Sequence, residues 1–174
     1  GLRKARNTGI ENSKGQYLSF IDDDDQAYEF YAETLLRHLK NSNCKVIYGD
    51  CVRLVQKKDN QGNYQIVHRD IVYSFDYDPD MILYQNISPV TSFMIARECF
   101  DDIKFNTEAK VYEDWIAWLD ISRKYSFKHL AVPVCAYTFR EDQTSMSSTR
   151  DFTSPLPAIY LKYYQYAKDQ VKVC

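Results

Sequence analysis

Apolar and polar positions along this chain alternate in blocks that predict helices and strands in turn. In the opening GLRKARNTGIENSKG, Leu2, Ala5, Gly9 and Ile10 recur at a rough helical spacing, and Lys14-Gly15 suits a helix C-terminus. A near-continuous apolar run follows from Gln16 to Ile21, with Tyr17, Leu18, Phe20 and Ile21, as expected of a central strand covered on both faces. From Ala27 to Leu39, the residues Tyr28, Tyr31, Leu35 and Leu39 share a helical face, and Cys44 to Tyr48 reads as a second strand. Helix, strand, helix, strand is the order of a parallel α/β sheet, in which ligands bind beyond the carboxyl ends of strands.

From Gly49 the texture changes. Val52 to Val55 and Tyr64 to Val67 flank a polar tip at 57–63, the pattern of a hairpin with a glycine-containing loop. An irregular stretch surrounds Pro79, Thr91 to Ala96 is a strand candidate, and Trp115, Trp118, Leu119 and Ser122 mark one face of a helix from Asp114 to Lys124. His129 to Val134 begins another extended stretch. Residues 138–157 are polar and predict a loop or lid, and Ala158 to Val171 a final helix carrying Tyr160, Tyr163, Tyr164 and Tyr166, expected to pack at a surface groove.

Composition narrows the classes. With 174 residues, 45% of them hydrophobic, the chain can bury a core, and the expectation is a single domain over 1–174. A net charge of -2, from 22 basic and 24 acidic residues spread along the chain, supplies no basic field for nucleic acid or an anionic membrane. No apolar run is long enough for a transmembrane segment. Five cysteines without CxxC spacing argue against a zinc site and a disulfide framework, and fit a reducing compartment. Asn86-Ile87-Ser88 is formally a glycosylation sequon, of little weight with Pro89 behind it. His38, His68 and His129 match no motif and read as surface or satisfied core residues.

The chemistry concentrates in FIDDDD, residues 20–25. Two carboxylates roughly 6 Å apart repel by about 3 kcal/mol at an effective dielectric near 20, so four in a row call for water or a cation. If the extended backbone persists, Asp22 and Asp24 project together and Asp23 to the other side. That is a DxD arrangement able to hold Mg2+ or Mn2+ together with diphosphate oxygens. A solvated acidic turn before a helix remains open, and a DDxxD prenyl-diphosphate motif is a weaker rival because these aspartates follow a strand. A second acidic pair, Glu113-Asp114, opens the Trp-rich helix, where the helix dipole favours an ionised carboxylate that can serve as a base. An ordinary helix-start acid is the alternative.

Together these stretches resemble a family. AlaArgAsnThrGly (5–9) followed by LysGlyGlnTyrLeuSerPheIleAspAspAspAsp (14–25) is similar to the signature of family 2 glycosyltransferases with the GT-A fold, and GluAspTrpIleAlaTrpLeu (113–119) resembles the family's EDWDLWLR block. The resemblance implies a partial GT-A, Rossmann-like α/β mixed sheet flanked by helices, forming the C-terminal part of such a domain. It also implies inverting, metal-dependent transfer from a nucleotide-diphosphate sugar, expected to be a UDP-sugar, to a hydroxyl of a glycan or lipid-linked acceptor. Asp22 and Asp24 would hold the metal and diphosphate, Asp23 would lie near the donor's ribose or sugar, and Arg6 would approach the nucleotide. Asp114 would be the general base, with Glu113 and Trp115 shaping the acceptor side. In residues 139–147, Arg140, Ser145 and Ser147 match the family's YR-H--S-S segment, with Asp142 in place of its histidine as a possible diphosphate ligand. The family opens with strands that this chain does not show ahead of Gly1, so an exposed sheet edge and weak donor binding by this piece alone are expected. A cytoplasmic location, peripheral at the inner membrane face, follows from the same resemblance. A non-catalytic glycan- or partner-binding module with a degenerate fold is the competing class.

Overall fold

The computed structural model describes residues 1–142, 153 and 155–170, with 164–170 as backbone alone. It is an α/β fold in which a mixed six-stranded sheet is flanked by helices, as expected. The helices are α1 (Leu2–Asn12), α2 (Tyr31–Lys40), α3 (Glu113–Ser122) and α4 (Leu156–Gln170). The strands are β1 (Tyr17–Leu18), β2 (Gln26–Ala27), β3 (Val46–Lys58), β4 (Tyr64–Tyr73), β5 (Phe93–Ala96) and β6 (Phe127–Arg140). They lie in the order β1-β5-β3-β6-β2, with β4 paired to β3.

Strand alternation sorts the core into two layers. Val46 and Tyr48 of β3 and Phe93 and Ile95 of β5 face a cluster containing Ile10 of α1 and Trp115, Trp118 and Leu119 of α3. Ile47, Cys51 and Met94 face the opposite cluster, built on Tyr31, Leu35 and Leu39 of α2 with Leu130 and Val134 of β6. Tyr31 donates its hydroxyl to the Phe93 carbonyl at 2.8 Å, fixing α2 across β5.

Several expectations need correction. Within the run from Gln16 to Ile21 only Tyr17 and Leu18 pair, with β5 as their neighbour in the described sheet, and Ile21 is 52% exposed. The β1 and β3 strands share a direction, but β5 lies between them, antiparallel to both. Sequence order could not reveal an inserted strand from residues 93–96. The α1 helix ends at Asn12 rather than at Gly15, because Arg97 reaches back to cap it, donating to the carbonyls of Ile10 (2.9 Å) and Gly15 (2.6 Å) and to Ser13 Oγ (2.6 Å). Likewise β6 runs on to Arg140, so 138–140 belong to a strand and not to the predicted loop.

The strand read from Cys44 to Tyr48 does not stop there but continues past a bulge at Gly49. Pairing with β6 shifts register between Gly49 and Cys51, and β3 continues to Lys58. The strands approach so closely there that a Cβ on Gly49 would lie 2.7 Å from the Val134 methyls and 2.8 Å from the Val132 carbonyl oxygen. Gly49→Ala is therefore expected to destabilise the fold by about 1–3 kcal/mol through overpacking against backbone that cannot yield, measured as a lower denaturant midpoint.

Candidate active site

The FIDDDD stretch leaves β1 and folds back on itself. The Asp25 amide donates to the Asp22 carbonyl at 3.1 Å, closing a turn before β2. Alternation along an extended strand therefore does not set the directions of Asp22 and Asp24. Asp22 is half-buried, and its Oδ1 accepts from Arg6 Nη2 at 2.6 Å, while Asp23 and Asp24 are exposed.

Arg6 is the junction of the site. Its side chain is 6% exposed, and its Nη1 donates to Glu113 Oε1 at 3.1 Å, so one guanidinium spans the aspartate turn and the first residue of α3. Arg3 adds a longer contact to Glu113 at 3.8 Å. Two contacts hold α1 where Arg6 can reach both carboxylates. Asn7 exchanges a pair of 2.9 Å hydrogen bonds with the backbone of Phe105, and Arg97 caps the far end of the helix. The Arg6 guanidinium also lies over the Phe105 ring, 5.4 Å from its centre.

The chain enters α3 through Tyr112, which has φ 60 and ψ 24 and is the one non-glycine residue with positive φ among the described residues. A bulky residue in this region stores strain. The turn presents Glu113 and Asp114 together, each to a different partner. Asp114 Oδ1 accepts from the Trp115 amide at 2.7 Å, and Oδ2 from Asn86 Nδ2 at 3.0 Å. Burial, then the neighbouring Glu113 charge, pushes the Asp114 carboxyl up to about 6, against the opposing pull of its hydrogen bonds and Arg6. Trp115 is fully buried and donates its indole N–H to the Ile82 carbonyl at 2.7 Å, so it supports the loop carrying Asn86 from beneath.

Arg6, Asp22, Glu113 and Asp114 are thus brought together, whereas the possible diphosphate loop lies with the β3–β4 hairpin. Arg140 stacks over the Tyr64 ring, 4.9 Å from its centre, and Asp142 accepts from Tyr64 Oη (2.7 Å) and pairs with Lys58 (2.9 Å). Ser145 and Ser147 fall outside the described residues. Three participants escaped the sequence reading. Asn86, read as part of a sequon and given no role in the site, donates to Asp114, while Thr91 and Thr138 hold Asp25. Asp25 does not cap α2, whose N-cap is Phe30. Its carboxylate accepts from the Thr91 hydroxyl and, at 3.3 Å, from the Thr138 amide, and burial raises it to about 6. Of the histidines, the His129 side chain is 4% exposed and lies between Asp50 (2.7 Å) and Asp76 (3.0 Å), a satisfied core residue, while His68 is exposed.

A family model described as Glycosyl transferase family 2 matches residues 1–105, more than half of the chain. The chain belongs to that family. Within the family it is 30% identical over 126 residues to the poly(ribitol-phosphate) beta-N-acetylglucosaminyltransferase TarP of Staphylococcus aureus strain N315, covering 71% of this chain and 38% of TarP. It is 21% identical over 164 residues to a GalNAc(5)-diNAcBac-PP-undecaprenol beta-1,3-glucosyltransferase of Campylobacter jejuni, covering 94% of this chain and 50% of that protein. The chain therefore spans at most half the length of these two relatives. Its fold matches the crystal structure of S. aureus TarS 1-349 in complex with UDP-GlcNAc with a TM-score of 0.62 at 18% identity, over 87% of this chain and 42% of that one. The fold is accordingly the partial GT-A sheet that the motifs implied. Among the described residues, no helix is long and apolar enough to cross a membrane.

The raised Asp25 and Asp114 carboxyls have a consequence for stability. From the ordinary value of 3.8 to about 6, the folded state binds these protons more tightly than the unfolded chain, so both groups make stability fall as pH rises through that window. Asp114→Asn is expected to stabilise the protein by about 1–3 kcal/mol at pH 7.5 and to lose that advantage near pH 4, as followed by thermal melts at the two pH values.

Proposed function

We propose that the full-length protein is an inverting, metal-dependent glycosyltransferase that moves a sugar from a UDP-sugar to a hydroxyl of a glycan or lipid-linked acceptor. The observation that carries this reading is the Arg6 bridge, which holds a donor-side carboxylate, Asp22, and the Glu113-Asp114 pair in one site. The TarS complex with UDP-GlcNAc and the named activities of TarP and the Campylobacter enzyme support a nucleotide-sugar donor and a cell-envelope acceptor.

The donor set fits a cation shared with substrate rather than one caged by protein. Among the described residues no three His, Cys, Asp or Glu side chains converge on a metal position. Asp24 is exposed, and Asp22 has one oxygen engaged by Arg6. Mg2+ and Mn2+ are commonly held by one or two carboxylates plus phosphate oxygens, and Asp22 and Asp24 supply that number. When bound, the ion neutralises charge developing on the leaving diphosphate. Asp23, exposed on the same turn, faces the donor's ribose or sugar in this reading.

Asp114 removes the proton from the acceptor hydroxyl as its oxygen attacks the anomeric carbon. The bond to the diphosphate oxygen breaks on the opposite side, and configuration inverts. Asn86 and the Trp115 amide fix the direction of the Asp114 carboxylate. Glu113, held by Arg6, keeps negative charge beside it and so raises its basicity. Glu113 and buried Trp115 shape the acceptor side as supports.

Asp114→Asn is expected to reduce turnover by at least about a thousandfold with UDP affinity nearly unchanged. Because the base must be ionised, kcat/KM of the wild type should climb with pH through an apparent pKa near 6 and level off above it. Wild-type turnover in Asp114→Asn would overturn the assignment.

A further inference from the structure

The fourth aspartate is the one acidic residue of FIDDDD that the proposed chemistry leaves without a part, yet it makes the most contacts within the fold. Its backbone amide closes the turn on Asp22, one carboxylate oxygen accepts from Thr91 and the other from the Thr138 amide. Thr138 also donates its hydroxyl to the Asp24 carbonyl at 2.7 Å. The aspartate turn is thus held at Asp24 and Asp25 by β6 and at Asp25 by the short helix Val90–Ser92.

That helix ends the segment whose first residue, Asn86, orients Asp114. Ile87, Ser88, Val90, Thr91 and Ser92 between them are all at most 3% exposed, and Ser92 Oγ donates to the Pro89 carbonyl at 2.9 Å and shares a 2.7 Å hydrogen bond with the Ser88 hydroxyl. A buried segment with internal hydrogen bonds transmits position because it has little room to shift. Two ties therefore join the aspartate turn to α3. One runs through Arg6 from Asp22 to Glu113, and the other from Asp25 through Thr91 and Asn86 to Asp114.

We infer that Asp25 and Thr91 are positioning residues for the glycosyl transfer, locking the turn that carries Asp22 and Asp24 at a fixed distance from Asp114. The inference rests on the proposed reading that Asp22 and Asp24 hold the donor diphosphate. Asp25 itself touches no substrate. Its effect passes through the placement of its two neighbours, for which errors of about 1 Å are costly in a metal- and diphosphate-binding site.

Thr91→Val keeps the shape of a fully buried side chain and removes the hydroxyl, whereas Thr91→Ser keeps the hydroxyl and removes a methyl. In the full-length protein, titrated with UDP in the presence of Mn2+ under conditions where each variant is folded, Thr91→Val is expected to weaken UDP binding about tenfold. Thr91→Ser should remain within about twofold of wild type. A purely structural role would lower the melting temperature of both variants and leave UDP affinity of the folded protein unchanged. If Thr91→Val does not fold, Thr138→Val, which removes only the hydroxyl on the Asp24 carbonyl, decides the question by the same titration. Asp24→Ala is the reference. Lost UDP binding in Asp24→Ala with wild-type affinity in Thr91→Val, or in Thr138→Val where that decides, overturns the positioning role alone. Wild-type affinity in Asp24→Ala overturns the donor-site reading beneath it.

Discussion

One buried guanidinium organises this site. Arg6 contacts Asp22, 16 residues away, and Glu113, 107 residues away, and its side chain is 6% exposed. An arginine so placed cannot be neutralised, and its planar fork suits two carboxylates held at defined angles. Each carboxylate in turn has been taken partly out of water, so any one member left alone would be an uncompensated charge in a poorly solvated place. The docking of α1 through Asn7 and Arg97 serves this end, because a shift of that helix would pull Arg6 off both partners.

The charges around Arg6 do not balance, and that imbalance is useful. Arg3 and Arg6 face Asp22, Glu113 and Asp114, two positive groups against three negative ones. Burial, and then the negative charge of adjacent Glu113, raise the Asp114 carboxyl to about 6, within reach of neutral pH. The negative excess is consistent with the cation proposed beside Asp22 and exposed Asp24. Backbone strain at Tyr112 belongs to this arrangement, since the left-handed turn brings Glu113 onto Arg6 while turning Asp114 toward Asn86.

Much of this could be read from residue order. Periodicity located α2, α3 and the hairpin, and the two acidic stretches were recognisable because carboxylates at a strand end and at a helix start have few structural uses in common. What could not be read was the wiring. Asp25 meets Thr91 across 66 residues and Thr138 across 113, and Asn86 reaches Asp114 across 28, through single hydroxyl and amide groups that leave no periodic trace. The neighbour of β1 is hidden for a related reason. An apolar run such as Tyr17 to Ile21 does not name the strand it pairs with, and the antiparallel insertion of Phe93–Ala96 between β1 and β3 shows only in three dimensions. The continuation of β3 through Gly49 is hidden too, because the close approach that requires a glycine there comes from Val132 and Val134, more than 80 residues on.

The central claim is that Arg6 and Glu113 are stabilised by each other and not merely adjacent. A double-mutant cycle in the full-length protein with Arg6→Met, Glu113→Gln and the pair, read by denaturant unfolding at pH 7.5, measures that coupling directly. Met keeps the apolar bulk of the arginine stem without its charge, and Gln keeps the shape of the carboxylate. The expected result is a coupling of at least about 1 kcal/mol, with the double variant more stable than Arg6→Met alone, because the second substitution removes the charge that the first left buried. Additive effects of the two substitutions would contradict the account.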